Sequence, residues 1–331
     1  MEEVNSSGMF GVRQDLKLKG FSDDTVDIIL NSWRTGTEKQ YAPVLKQWFS
    51  YCKETINPYN PPLHESLNFL ATLFQKGYSY DQLKNARSAL SAVINASDNI
   101  SFGKLPMVKR FMKGVFEKRP SFPKNYFIWD VSIVFNHFRK LPKVEDLTLK
   151  QLSKKLALLM SIASGGQRAQ TLHLIKVANI NILPDEIIIP ITDKVKQTKP
   201  SKHMAPLQFK KFHEEPSLCV VENLLQYKQK TEHLRQCPNL FVSYIKPHKA
   251  VSSDTISRWC KGMLSDAGIT PDLFTPHSSR SAASSKSLLA GIPICDILKH
   301  AGWRSERTFA SRYNKVVIED VNVLRSLRDS S

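Results

Sequence analysis

Apolar residues recur at helical spacing through most of the first 119 positions. Asp24–Trp33, Thr37–Lys53, His64–Gln75, Tyr80–Ile94 and Pro106–Phe116 each carry the pattern. Thr37, with Gln40 three residues on, fits a capping box at the start of the second stretch. Asn57-Pro58 and Asn60-Pro61-Pro62 mark a turn between helices. The opening residues 1–21 are polar, contain Gly and Ser, and predict a flexible N-terminus. Two prolines in Arg119-Pro120-Ser121-Phe122-Pro123-Lys124 then break the periodicity, which predicts an extended linker over 120–129.

Helical spacing returns at Asp130–Lys140 and Leu147–Ala163. The period then shortens. Ala178–Leu183, Asp185–Thr192 and Met204–Phe209 read as short strands bounded by turns. Cys219–His233, Ser253–Ala267, His277–Ala290, Pro293–His300 and Ser305–Tyr313 are again helical. The pattern predicts a mainly α protein with one small antiparallel β-sheet, an α+β class. A helical domain spans 22–119, a mixed domain 130–316 and a short tail 317–331.

Charge changes the picture next. The net charge is +17, with 47 Lys and Arg against 30 Asp and Glu. An excess of that size favours a polyanionic partner, and nucleic acid is the commonest. Residues 1–119 hold 16 basic and 12 acidic side chains, whereas residues 120–331 hold 31 and 18. The second domain is therefore the stronger candidate for gripping phosphates. The five cysteines, Cys52, Cys219, Cys237, Cys260 and Cys295, are scattered and form no CxxC pair, which argues against a zinc site or a disulfide framework. The N-terminus shows no secretory signal, and the longest apolar runs, Leu156–Met160 and Ile187–Ile189, are too short to span a bilayer, so no membrane partner is expected.

Several residues then stand out for their chemistry. In Thr275-Pro276-His277-Ser278-Ser279-Arg280, Thr275 suits a helix cap and Pro276 its first position. His277 and Arg280 would share one face at that helix start, where free N–H groups favour an anion. A capped surface helix accounts for the same residues. Arg168 follows Gly165-Gly166, where a guanidinium can fork onto two phosphate oxygens or simply sit in solvent. Tyr313 lies four residues after Phe309, a spacing that suits a core stripe or a nucleophile. A phenol of ordinary pKa, about 10, needs help to attack at neutral pH. Arg304, Arg307 and Arg312 are close to it in sequence. Trp303 can pack in a core or donate its indole N–H to a phosphate oxygen. Lys194, Lys196, Lys199 and Lys202 crowd the turn after the second strand, where one can protonate a leaving alkoxide. There are no paired carboxylates, no HExxH and no glycine-rich phosphate loop, so metal-dependent nuclease and ATPase readings lack support and neither metal nor cofactor is expected.

Arg168 after Gly-Gly, the His277-x-x-Arg280 box, and Gly302-Trp303 ten residues before Tyr313 together resemble the tyrosine recombinases, also called phage-type integrases. The resemblance covers about residues 25–318. Lys196-Gln197-Thr198-Lys199-Pro200-Ser201-Lys202-His203 and Ala301-Gly302-Trp303-Arg304-Ser305 look most like the enzymes of eukaryotic DIRS- and Crypton-type mobile elements. The resemblance implies a helical core-binding domain and a catalytic domain of the DNA breaking-rejoining type. It also implies roles. Tyr313 would attack a scissile phosphate and form a 3′-phosphotyrosyl link, Arg168 and Arg280 would hold the non-bridging oxygens, and His277 would assist proton transfer. Trp303 would bond or pack against the phosphate, and Lys196 would be the acid for the leaving 5′-oxygen, with Lys199 the alternative. The family often has an acidic residue three positions after the first arginine, where this chain has Thr171. His300 competes for the place given to Trp303 but lies thirteen residues before Tyr313.

The partners so implied are double-stranded DNA and further copies of the chain, as a homo-tetramer on two DNA sites. The tail, with Val321–Leu327, resembles the C-terminal helix that docks on a neighbouring protomer in this family. A eukaryotic member acting on DNA would work in the nucleus. Two other readings compete with an active recombinase: a domesticated, catalytically inactive DNA-binding protein, and a topoisomerase of the tyrosine class. The second is disfavoured because no long coiled-coil linker precedes the tyrosine.

Overall fold

The computed structural model describes residues 8–53, 55–95, 100–121, 127–195, 198–201, 203–270, 274, 278–303 and 305–318. The chain divides into two compact units, Met1–Pro123 and Lys124–Ser331. The first is all helical: α1 (Gly8–Leu18), α2 (Asp23–Leu30), α3 (Thr35–Cys52), α4 (Leu63–Gln75), α5 (Tyr80–Val93) and α6 (Pro106–Lys118). Its core is apolar and aromatic, with Leu45, Trp48, Phe69, Leu70, Leu73, Leu83 and Leu90 buried together.

Two expectations fail in this unit. Gly8–Leu18, inside the stretch expected to be flexible, form a helix, because α1 lays Val12 into the core with Met9 and Leu16 partly buried beside it. α3 begins two residues before Thr37, after Arg34, so Thr37 lies inside the first turn and caps nothing. The capping box of this unit is instead Ser79 with Gln82, at the start of α5.

The second unit opens with β1 (Phe127–Trp129) and continues through α7 (Val131–Arg139), α8 (Leu149–Ala163) and α9 (Ala169–Leu172). There follow β2 (Asn181–Ile182), β3 (Glu186–Ile189) and β4 (Leu207–Lys210), then α10 (Val220–Thr231) and α11 (Ser253–Asp266). It closes with α12 (Ser278–Leu289), α13 (Ile294–His300), α14 (Glu306–Arg312) and β5 (Val316–Ile318). The order β2-β3-β4 is antiparallel, with Ile187 facing Phe209 and Ile189 facing Leu207. The fold is thus mostly helical with a small antiparallel sheet. α8 is the central element. Its box of Thr148 and Gln151 satisfies the free N-terminal amides, and Leu152, Leu156, Leu159 and Met160 carry it through the core.

A second sheet was not foreseen. β1 and β5 pair in parallel, with Phe127 opposite Val316 and Trp129 opposite Ile318. Residues 127–129, expected as linker, are therefore sheet, and so is the start of the expected tail.

Candidate active site

The turn after α8 sets the geometry. Gly165 and Gly166 both take positive φ, +68° and +83°, in the left-handed region that glycine adopts at little cost. The Gly166 N–H closes on Ser161 O at 2.8 Å. A Cβ on Gly166 would stand 2.3 Å from Cα of Arg280. The turn has to be glycine because the backbone of α12 runs directly against it. The Ser161 hydroxyl donates to Gln167 O at 3.0 Å and lies 3.2 Å from the Ser279 hydroxyl, which ties α8 to the first turn of α12.

Arg280 projects from α12 into this junction and is only 2% exposed. One guanidinium nitrogen donates to Ala301 O at 2.9 Å. Its Nε is buried with no hydrogen-bond partner among the described residues. The Trp303 ring faces the guanidinium with 4.6 Å from Cζ to the ring centroid, and the Tyr313 ring is at 5.5 Å. Trp303 and Tyr313 stack on each other, centroids 4.4 Å apart and planes 19° apart. Burial pushes the Arg280 guanidinium down to about 10; Tyr313 opposes the shift and Arg168 adds to it. It stays cationic at neutral pH, with the Arg168 charge within electrostatic reach of it.

Arg168 is the residue preceding α9, half-buried and in extended conformation. A cavity of about 240 Å³ opens beside it, walled by Ser161, Ser279, Ser253 and Ser257. A broader cleft of about 1300 Å³ passes Trp303, Lys199, His203 and Ser164. Of the six residues singled out by sequence, Arg280, Trp303 and Tyr313 form one cluster with Arg168 next to it. Lys196 and His277 lie outside the described residues. Lys199 is on the cleft wall. His300 is not in the ring stack: its Nε2 is 2.7 Å from Ala163 O, so it ties α13 to the end of α8. Thr171, in the position often acidic in such proteins, is buried and meets Gln167 at 3.4 Å.

The arrangement offers a buried cation with an unsatisfied donor, a second cation at the mouth, and a phenol against both an arginine and an indole. It is suited to a doubly liganded anion such as a phosphodiester. The sequence pattern of the phage integrase family matches residues 140–319, more than half the chain. The chain belongs to the phage integrase family. Among solved structures, this integrase family member is similar in fold to the XerH site-specific recombinase bound to palindromic difH substrate, with 15% identity, TM-score 0.57, and coverage of 88% of this chain and 79% of that one. It is also similar to a lambda integrase dimer bound to a COC′ core site, with 17% identity, TM-score 0.53, and coverage of 88% and 93%. The Tn1549 transposon integrase in complex with transposon right end DNA gives 11% identity, TM-score 0.58, and coverage of 90% and 94%. No curated protein sequence matches the chain.

Sequence reasoning missed the serines that frame this integrase site. Ser161 and Ser279 bridge two helices, and Ser285 bonds to the main chain at Tyr313 and Lys315. Trp129 Nε1 donates to the Ser278 hydroxyl at 2.8 Å, and Lys286 pairs with the buried Asp130 at 2.7 Å. The available signal was the density of small hydroxyls in Ser278–Ser287, too polar for the buried helix that α12 proves to be.

Proposed function

We propose that this integrase is a site-specific DNA recombinase that cuts and rejoins DNA through Tyr313. The phenol oxygen attacks the scissile phosphorus and forms a 3′-phosphotyrosine. The bond from phosphorus to the 5′-oxygen breaks, and that oxygen leaves as a hydroxyl after taking a proton from a lysine. Rejoining reverses the step with the 5′-hydroxyl of another strand, so the bond energy is conserved and ATP is not required. Arg168 and Arg280 bind the non-bridging oxygens and neutralise the charge that grows in the transition state. Trp303 holds the phenol beside Arg280. His277 shuttles the proton at the tyrosine. Lys196 is the acid, with Lys199 the alternative because it lines the cleft that Trp303 also lines.

The observation that carries this reading is Arg280 itself. A guanidinium with 2% exposure and an Nε that has no partner among the described residues is costly to bury unless an anion completes it, and the Tyr313 ring lies against it. Double-stranded DNA is the substrate, two sites are bridged by four copies, the origin is a eukaryotic mobile element of the DIRS or Crypton kind, and the place of action is the nucleus. The net charge of +17 supports the nucleic-acid partner.

Incubation with supercoiled plasmid in EDTA, followed by denaturation, tests the chemistry without knowledge of the target site. DNA covalently joined to protein is expected, and Tyr313→Phe abolishes it. Salt-sensitive DNA binding with no adduct from the parent protein would instead indicate an inactive DNA-binding descendant. A 5′-bridging phosphorothiolate, whose sulfur leaves without a proton, identifies the acid. It restores cleavage to Lys196→Ala if Lys196 is the donor, and to Lys199→Ala if Lys199 is.

A further inference from the structure

One buried hydroxyl holds the main chain on both sides of the tyrosine's neighbour. Ser285, in α12 and 1% exposed, donates from Oγ to the carbonyl oxygen of Tyr313 at 2.8 Å and accepts the N–H of Lys315 at 3.0 Å. The two bonds straddle Asn314. They fall where regular structure changes hands. α14 ends at Arg312, the N–H groups of Tyr313 and Asn314 both close back on Phe309 O at 2.8 and 3.0 Å, and β5 starts at Val316. Carbonyls at the end of a helix have no partner within it, and here a side chain from another helix supplies one.

That helix is the one that carries Arg280. Ser285 lies five positions after Arg280, and the intervening Ser284 returns its hydroxyl to Arg280 O at 2.7 Å. Lys286 anchors the next position to Asp130, which also caps α7 through the Ser132 N–H. α12 is thus anchored to the start of α7 as well, and Ser285 is a hydrogen-bonded point where the segment is fastened to it.

We propose that Ser285 is a positioning residue for the nucleophile: by fastening the peptide groups around Asn314 to α12, it sets where the Tyr313 phenol stands relative to Arg280. The inference rests on reading Tyr313 as the nucleophile. The chemistry selects the residue type. A single buried atom has to donate and accept at once, which a hydroxyl does and an alkyl group does not. Alanine removes both bonds from these partly buried main-chain groups at once, so the segment gains freedom where the phenol needs a fixed angle of attack.

The test compares Ser285→Ala with Ser285→Thr, which keeps the hydroxyl, and Ser285→Val, which matches threonine in shape without it. Three quantities are read on the full chain: hydrogen exchange at the Lys315 amide, the rate of covalent adduct formation on a nicked DNA at saturation, and the Kd for that DNA. In Ser285→Ala the Lys315 amide exchanges faster, adduct formation slows by at least about tenfold, and the Kd is unchanged. Ser285→Thr recovers both protection and rate. Should alanine prevent folding, the threonine and valine pair decides, with valine slow and threonine fast. Wild-type rates from Ser285→Ala, equal rates from threonine and valine, or a loss found wholly in Kd would overturn the positioning role alone. No adduct from the parent protein would overturn the nucleophile reading and the positioning role with it.

Discussion

The two units solve the burial problem in opposite ways. Among the described residues, the first unit buries a single polar side chain, Ser66, while the second buries fourteen, among them Asp130, Lys155, Gln167 and Arg280. The difference is far larger than the difference in length. The first unit is a scaffold whose stability comes from rings: Trp48 packs against Phe69 at 5.2 Å and Tyr51 at 5.9 Å, and its indole donates to Pro58 O at 3.1 Å. The second unit gives up part of that kind of stability to hold charge and hydroxyls out of water, where electrostatic interactions are stronger. Buried polarity therefore marks the unit that holds the candidate site.

Four substitutions break or sharpen that contrast. The largest effect is expected from Trp48→Ala, which removes the centre of the first core and should cost about 3–5 kcal/mol in urea unfolding. A loss under about 1 kcal/mol would mean that the aromatic core is not what holds the unit. Next is Arg280→Met, which keeps the aliphatic stem and removes the buried charge. Adduct formation should fall by roughly 10²–10³-fold while the urea midpoint holds or rises, since a buried cation costs solvation. Parallel loss of rate and stability would make Arg280 a structural residue.

Lys155 gives a third, smaller effect. It sits inside α8 with no exposure and no hydrogen-bond partner among the described residues, 5.8 Å from the Phe138 ring. Burial lowers its pKa to about 8 from the ordinary 10.5. The folded state therefore disfavours the charged form. Stability should be lowest below about pH 8 and climb as pH rises towards the unfolded value near 10.5. Lys155→Met should remove that slope and add on the order of 1–3 kcal/mol at pH 7, seen by urea titration at several pH values. A slope that persists in the variant would assign it to another group. The smallest effect belongs to the surface of the first unit. Lys17 and Asp23 pair at 2.6 Å with both side chains well exposed, so Lys17→Ala should leave the melting curve in place.

The two units also differ in how much of them the sequence disclosed. Long amphipathic helices such as α3, α5 and α8 were legible because burial repeats every turn. α1 was not, since Val12, its buried anchor among the described residues, hardly registers as a period. The β1–β5 pairing was invisible for a different reason: each strand has three residues, and the partners are separated by nearly the whole second unit. Arg168, Arg280, Trp303 and Tyr313 could be picked out by spacing and residue type. The stacking of Trp303 on Tyr313 could not, because ring orientation is set by tertiary packing that spacing does not carry. The role of Ser285 was not legible beyond the density of hydroxyls in Ser278–Ser287, since a hydroxyl in a helix that bonds outward resembles one that faces water.

The parallel strand pair has a further bearing on how the molecule comes into being. Chains leave the ribosome from the N-terminus, and β1 emerges long before β5, its partner. Until residues 316–318 appear, β1 has no strand beside it and the segment that bears Tyr313 is tethered on one side only. The order of synthesis thus sets an order of assembly: among the described residues, the segment that bears Tyr313 is seated after the other elements of its unit.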